Sequence, residues 1–185
     1  MTVIEANAAC AAQGSLYREV GAFSKSFRDT ALNNINEGEE FEIPHDYKIY
    51  QQRMMRGGEP VLDREGVQVT AEFINVATNT GRIVRFYPTS LSKIAFAVDE
   101  NGKDVVGAGR VVSTSGNLAD FVRGKAIDDV MQSLKGCTVK CEKLTPVNTR
   151  VFGVSNEVAT AKDIQKTNVG TWTLVGKKKP AGWVG

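Results

Sequence analysis

The spacing of apolar positions changes period along this chain, and each change predicts a different element. In residues 1–36 the apolar positions fall near helical spacing: an alanine-rich start, "TVIEANAACAAQG", precedes Leu16, Val20, Phe23, Phe27 and Leu32. A helical or loosely ordered N-terminal stretch follows from that spacing. Phe41 and Ile43 then alternate with Glu40 and Glu42, which predicts a short strand stopped at Pro44. "QQRMMRGGEPVLDREG" (51–66) is polar and broken by glycine, so it reads as a loop or irregular connector whose Arg53 and Arg56 either meet a ligand or stay solvated.

From residue 67 the period shortens to that of strands. "VQVTAEFINVA" (67–77) is rich in β-branched and aromatic residues, and "TNTG" (78–81) supplies a turn. A second strand runs through 82–98, bent at Pro88, with Ile94, Phe96 and Val98 on one face. Asn101-Gly102 between apolar runs is a strong hairpin signal, and 104–113 is the returning strand, its glycines allowing a bulge. Leu118, Phe121, Val122, Ile127, Val130, Met131 and Leu134 form a helical stripe, with Asn117 placed to cap it, Gly124 to kink it and Gly136 to end it. "KGCTVKCEKLTPVNTRVF" (135–152) follows as a strand, 153–170 as a long connection, and "TWTLVG" (171–176) as a last strand.

Strand, strand, strand, helix, strand, strand is the order of an OB-fold, a five-stranded Greek-key barrel with a helix between its third and fourth strands. The expected fold is therefore mainly β with helices (α+β): an N-terminal acidic extension (1–66), an OB-like barrel (67–176) and a basic C-terminal tail (177–185). An unrelated β-barrel or an α+β sandwich would give the same string of elements.

Composition narrows the function classes. A chain of 185 residues with 42% hydrophobic and 24% charged residues is ordinary for one globular domain that needs no staples to fold. No apolar run reaches the roughly 18 residues of a membrane span, and the N-terminus lacks the basic start of a signal peptide. Three cysteines argue against a disulfide framework, so a cytoplasmic setting is expected. Charge is uneven: residues 1–66 hold seven Lys/Arg against eleven Asp/Glu, and residues 67–185 hold sixteen against ten. A basic body suits an anionic partner, although an ordinary solvated surface explains six surplus charges as well.

Motifs for chemistry are weak. Cys137 and Cys141 share one face of a strand about 13 Å apart, too far for a disulfide or for one zinc ion, so they are expected to pack in the core. "GAGRVV" (107–112) lacks the last glycine of a dinucleotide loop and precedes no helix, and "DENGKD" (99–104) is a turn rather than a calcium loop. His45 beside Asp46 has no nucleophile motif near it. No enzyme, cofactor or metal site is expected.

What remains is cationic and aromatic content on the strands, the combination by which single strands are bound: cations track phosphates and rings stack on bases. With Val84 and Phe86 facing the core, Arg85 and Tyr87 should face solvent. Arg82 and Lys93 flank them, and Arg110, Lys140, Arg150 and Trp172 on other strands extend the surface. For each alone, a solvated charge or a core aromatic is the plainer reading; as a group they favour binding. Lys177 to Lys179 and Trp183 in the tail either add phosphate attraction or form a loose end.

Residues 67–176 resemble OB-fold single-stranded DNA-binding proteins, particularly divergent phage-type ones. The resemblance is carried by "GRIVRFYPTSLSKIAFAV", the Asn-Gly hairpin, "NLADFVRGKAIDDVMQSLKG" and "CTVKCEKLTPVNTRVFG". It implies a non-catalytic protein of replication or recombination that coats single-stranded DNA, with RNA and homo-oligomerisation as open alternatives and no membrane partner. The basic ending "GKKKPAGWVG" departs from the acidic, hydrophobic-tipped tail of the bacterial proteins, which puts docking through such a tail in doubt. The rival class is a structural or assembly protein, such as a virion component, that uses a β-barrel for protein contacts.

Overall fold

The structure, a computed structural model, describes residues 2–12, 16–17, 34–56, 58–107 and 109–184. The chain is mainly β with a few helices. Helix α1 spans Val3–Ala12; Val20, Phe23, Phe27 and Leu32 of the expected helical stretch lie outside the described residues. Strands β1 (Leu16–Tyr17), β2 (Glu40–Glu42), β3 (Tyr50–Arg53), β4 (Met55–Arg56) and β5 (Glu59–Pro60) follow. Next come β6 (Thr70–Ala77), β7 (Ile83–Phe86), a 3₁₀ turn (Pro88–Ser92), β8 (Ile94–Phe96) and β9 (Val111–Ser113). Helices α2 (Asn117–Val122) and α3 (Ile127–Leu134) lead into the long strands β10 (Thr138–Arg150) and β11 (Ile164–Val175).

Two sheets carry the fold. One has the order β1-β3-β6-β7, with β1 parallel to β3 and the other pairs antiparallel; the other is antiparallel with the order β11-β10-β2. The sheets are not closed into a barrel, and an isolated bridge between Phe41 and Thr78 links them at one side. Their inner faces meet in the main core, where Phe41, Phe86 and Trp172 form an aromatic knot with centroids 4.8 to 6.4 Å apart. Leu118, Val122, Met131 and Leu134 of α2 and α3 cover one side of it, the apolar stripe read from the sequence.

Several expectations need correction. The stretch expected as an N-terminal extension contributes strands to both sheets: Val139 pairs with Phe41 of β2, and Phe73 pairs with Tyr50 of β3. Residues 51–60 hold the end of β3 and the β4–β5 hairpin, whose polar, partly or wholly exposed side chains hide the strand period, while 61–66 form no strand. The expected single helix is two helices, since Gly124 takes φ +76°, a region that ends a helix and suits glycine. Asn117 does not cap; its Oδ1 accepts a hydrogen bond from Leu174 N–H at 2.8 Å and ties α2 to β11. Strand β10 runs through Pro146, tolerated because β2 pairs only as far as Lys140 and leaves this part of β10 an edge.

Other readings hold. Asp99 N–H bonds Lys103 O around Asn101-Gly102, and Gly102 sits at φ +74° with Thr160 O 2.5 Å from where a Cβ would stand, so no other residue fits this hairpin. Cys137, Val139 and Cys141 point inward and are fully buried, and the cysteines are free thiols. Burial, helped by the carboxylates of Glu37 and Glu142, pushes the Cys141 thiol up to about 11.

Candidate functional site

The first sheet ends at β7 and the second at β11, and among the described residues no ladder joins these terminal strands. A cleft of about 470 Å³ lies where they fail to meet. Arg85, Phe86 and Tyr87 line it from β7 and the residue after it, Gln165 to Asn168, Gly170 and Trp172 from β11, Thr89 and Ser90 from the 3₁₀ turn, and Lys93 beyond that turn. The size is that of an ordinary small-ligand pocket.

Each lining side chain is held by its strand position. Arg85 pairs across the sheet with Asn75, so it points away from the main core, as the alternation required. It does not reach open solvent, however: its exposure is 1%. The cause is α1, which the alternation around residue 85 could not reveal. Ala6 and Cys10 of α1 pack on Tyr50, Phe73 and Ile83 and make a second core on this face of the sheet. The Arg85 guanidinium lies 4.3 Å from the Phe73 ring centroid, a cation–π contact, and Nη1 donates to Gln52 Oε1 at 3.3 Å. Tyr87 is half-buried, and its hydroxyl donates to the same Gln52 oxygen at 2.6 Å. Burial raises the Tyr87 phenol pKa, with the Arg85 charge working against it. One amide thus fixes both the cation and the ring at the cleft wall.

Lys93 keeps an exposed surface, yet desolvation by the surrounding walls lowers its pKa. Its backbone is pinned, because Thr114 N–H and Thr114 Oγ1 both donate to Lys93 O. Among the described residues no ion pair involves Lys93 or Lys166. Trp172 is 3% exposed and belongs to the aromatic core, so it offers no ring face for stacking, contrary to its expected place on the binding surface.

Of the eight residues expected to bind, the cleft gathers Arg85, Tyr87, Lys93 and Trp172. The other four lie elsewhere and are engaged. Arg82 pairs with the buried Glu39 and donates to Asn34 O. Arg150 and Arg110 share Asp104, at 2.8 and 3.5 Å, and Arg150 also donates to Gly102 O, tying the hairpin turn to the β10–β11 arm. Lys140 lies 3.7 Å from Glu142 on β10.

Sequence reasoning missed Gln52 and Lys166. Both sit in stretches read as loop or connection, where polar side chains at a half-open cleft mask the strand. It also read Ile94, Phe96 and Val98 as one face, but Val98 is buried while the other two are not. Ile94 and Phe96 are exposed (Phe96 55%), and Ala95 and Ala97 face inward to Val147 and Val169 instead. Small residues at the alternate positions were the available signal: an alanine face suits close packing on the arm.

No helix among the described residues is long and apolar enough to cross a membrane. No family model, curated protein or solved structure matches the chain.

Proposed function

We propose that the protein binds single-stranded nucleic acid, DNA in the first instance, without catalysing a reaction on it. The observation that carries this reading is the convergence of Lys93, Lys166, Arg85 and Tyr87 on one half-open cleft between two strand edges. Lys93 and Lys166, which make no ion pair among the described residues, suit a phosphate chain, and amide side chains such as Gln52 and Asn168 offer donors and acceptors to base edges. A duplex is too wide to enter a cleft of this volume, so the site selects unpaired nucleotides. The OB-like reading keeps its support in the element order: β6, β7–β8 and β9 precede two helices, and β10 and β11 follow. On this reading the process served is replication or recombination.

Fluorescence anisotropy tests it with a labelled oligo-dT and a matched duplex at several salt concentrations. The expected result is preference for the single strand, weakening as salt rises. Absence of binding at low salt with micromolar protein overturns the proposal.

A second reading, a structural or assembly protein, is favoured by a different observation. Ile94, Phe96 and Val111 present an exposed apolar face on the β8–β9 hairpin, the kind of patch that protein contacts cover.

A further inference from the structure

The cleft contains a buried donor that the fold itself leaves unused. Trp172 Nε1 has no hydrogen-bond partner among the described residues, although the residue is 97% buried and a buried N–H ordinarily finds an acceptor. Its position is fixed by Gly170, which lines the cleft two residues earlier on the same face of β11. A Cβ on Gly170 would stand 2.3 Å from Trp172 Nε1, so the indole N–H edge occupies the space that a side chain at 170 would fill. The aromatic body of Trp172 is in the core against Phe86 and Phe41, and its indole nitrogen lies beside Gly170, a residue of the cleft lining.

We infer that this N–H is a base-reading donor: a nucleobase enters the cleft edge-first and accepts a hydrogen bond from Trp172 Nε1 through a carbonyl oxygen or ring nitrogen. The inference rests on the single-strand reading of the cleft and deepens it. An unsatisfied buried donor is a cost to the fold, and a ligand acceptor recovers it on binding. Lys93 and Lys166 then stand at the same cleft as cations for the phosphates flanking the inserted base. Tyr87, whose hydroxyl is committed to Gln52, offers ring surface rather than a polar contact. The role differs from a stacking platform, because the indole face is already occupied by protein.

The test uses the full-length chain labelled with ¹⁵N-tryptophan, titrated with oligo-dT and with an oligonucleotide of the same length carrying abasic residues. The chain has two tryptophans, so the Trp183→Phe variant assigns the two indole signals. The Trp172 indole signal should move on adding oligo-dT and stay in place with the abasic strand. Trp172→Phe should weaken oligo-dT binding by roughly five- to tenfold, the loss of one hydrogen bond to a buried donor, while binding the abasic strand as the wild type does. If wild-type protein binds oligo-dT but its Trp172 signal does not move, the base is not in the cleft and this inference falls while the single-strand reading stands. If wild-type protein binds neither strand at low salt, both fall. Should Trp172→Phe fail to fold, the indole signal of the wild type decides alone.

Discussion

Two groups of basic residues sit at two places on this molecule, and they differ in what faces them. At the cleft, Lys93 and Lys166 border a cavity and Arg85 stands over the Phe73 ring. At the hairpin clamp, Arg110 and Arg150 meet one carboxylate, Asp104, and Arg150 also holds Gly102 O and Asn156 Oδ1. The residue types are alike and a count of charge treats them alike. On the proposed reading, one group is open to a ligand and the other serves the fold, because a cation spent on a partly buried carboxylate and on backbone oxygens has little left to offer a phosphate.

The clamp gives the largest expected effect. Asp104→Asn leaves the half-buried Arg150 guanidinium without its counter-charge, and should cost about 1–3 kcal/mol of stability. For a chain of this size that lowers the melting temperature by about 2–4 °C per kcal/mol, measurable by calorimetry or circular dichroism. Oligo-dT affinity should be unchanged or slightly higher, since a negative charge is removed. A large loss of affinity without loss of stability would reverse the two roles.

The cleft should respond the other way. Replacing both Lys93 and Lys166 by alanine should leave the melting temperature within about 2 °C of wild type, because surface substitutions away from special contacts usually matter little. Binding to oligo-dT at low salt should fall by about tenfold, and the slope of log affinity against log salt should flatten by about 1 to 1.5, two lost phosphate contacts on a single strand. Arg110→Ala is the matching control at the clamp and should shift affinity less than threefold. Equal effects from the two sets of substitutions would remove the distinction between the regions.

How much of this contrast was legible in the sequence depends on what each inference needed. Alternation along one strand was enough to turn Cys137, Val139 and Cys141 inward and to separate Arg85 from Phe86. It could not show what covers the far side. Arg85 is buried by α1, about eighty residues earlier, and the alanine-rich "EANAACAA" gave no strong apolar stripe to announce that contact. Pairings such as Arg82 with Glu39 or Arg150 with Asp104 are long-range and carry no local pattern. Strand β11 was seen from Thr171 because "TWTLV" is apolar, and missed from Ile164 to Gly170 because the arm there is half exposed and joined by a Thr149–Thr167 hydroxyl pair. That omission hid Lys166, and with it half of the cleft's mouth. Composition suggested an anionic partner, and on the proposed reading the fold sets which cations would be free to meet one.

The smallest effect at neutral pH belongs to a third cation, Arg82, and it emerges only on acidification. Burial alone would raise the Glu39 carboxyl, but hydrogen bonds from Thr80, from Asn36 N–H and from Thr78, together with the Arg82 charge, outweigh it and hold the carboxyl below its ordinary 4.5. A carboxylate depressed in the folded state adds stability that is fully present above its unfolded pKa and is lost as pH falls through the folded one. Urea midpoints should therefore be flat in this respect from pH 7 to about 5 and fall below pH 4.5, the ordinary value of the group. Glu39→Gln should flatten that acid limb relative to wild type, and oligo-dT binding at pH 7 should be the same in both, since neither Glu39 nor Arg82 lines the cleft. An acid limb equally steep in Glu39→Gln would mean that other carboxylates carry it. A loss of binding at pH 7 would mean that Arg82 reaches nucleic acid after all, and that the division between cations held by the fold and cations offered to a ligand is drawn in the wrong place.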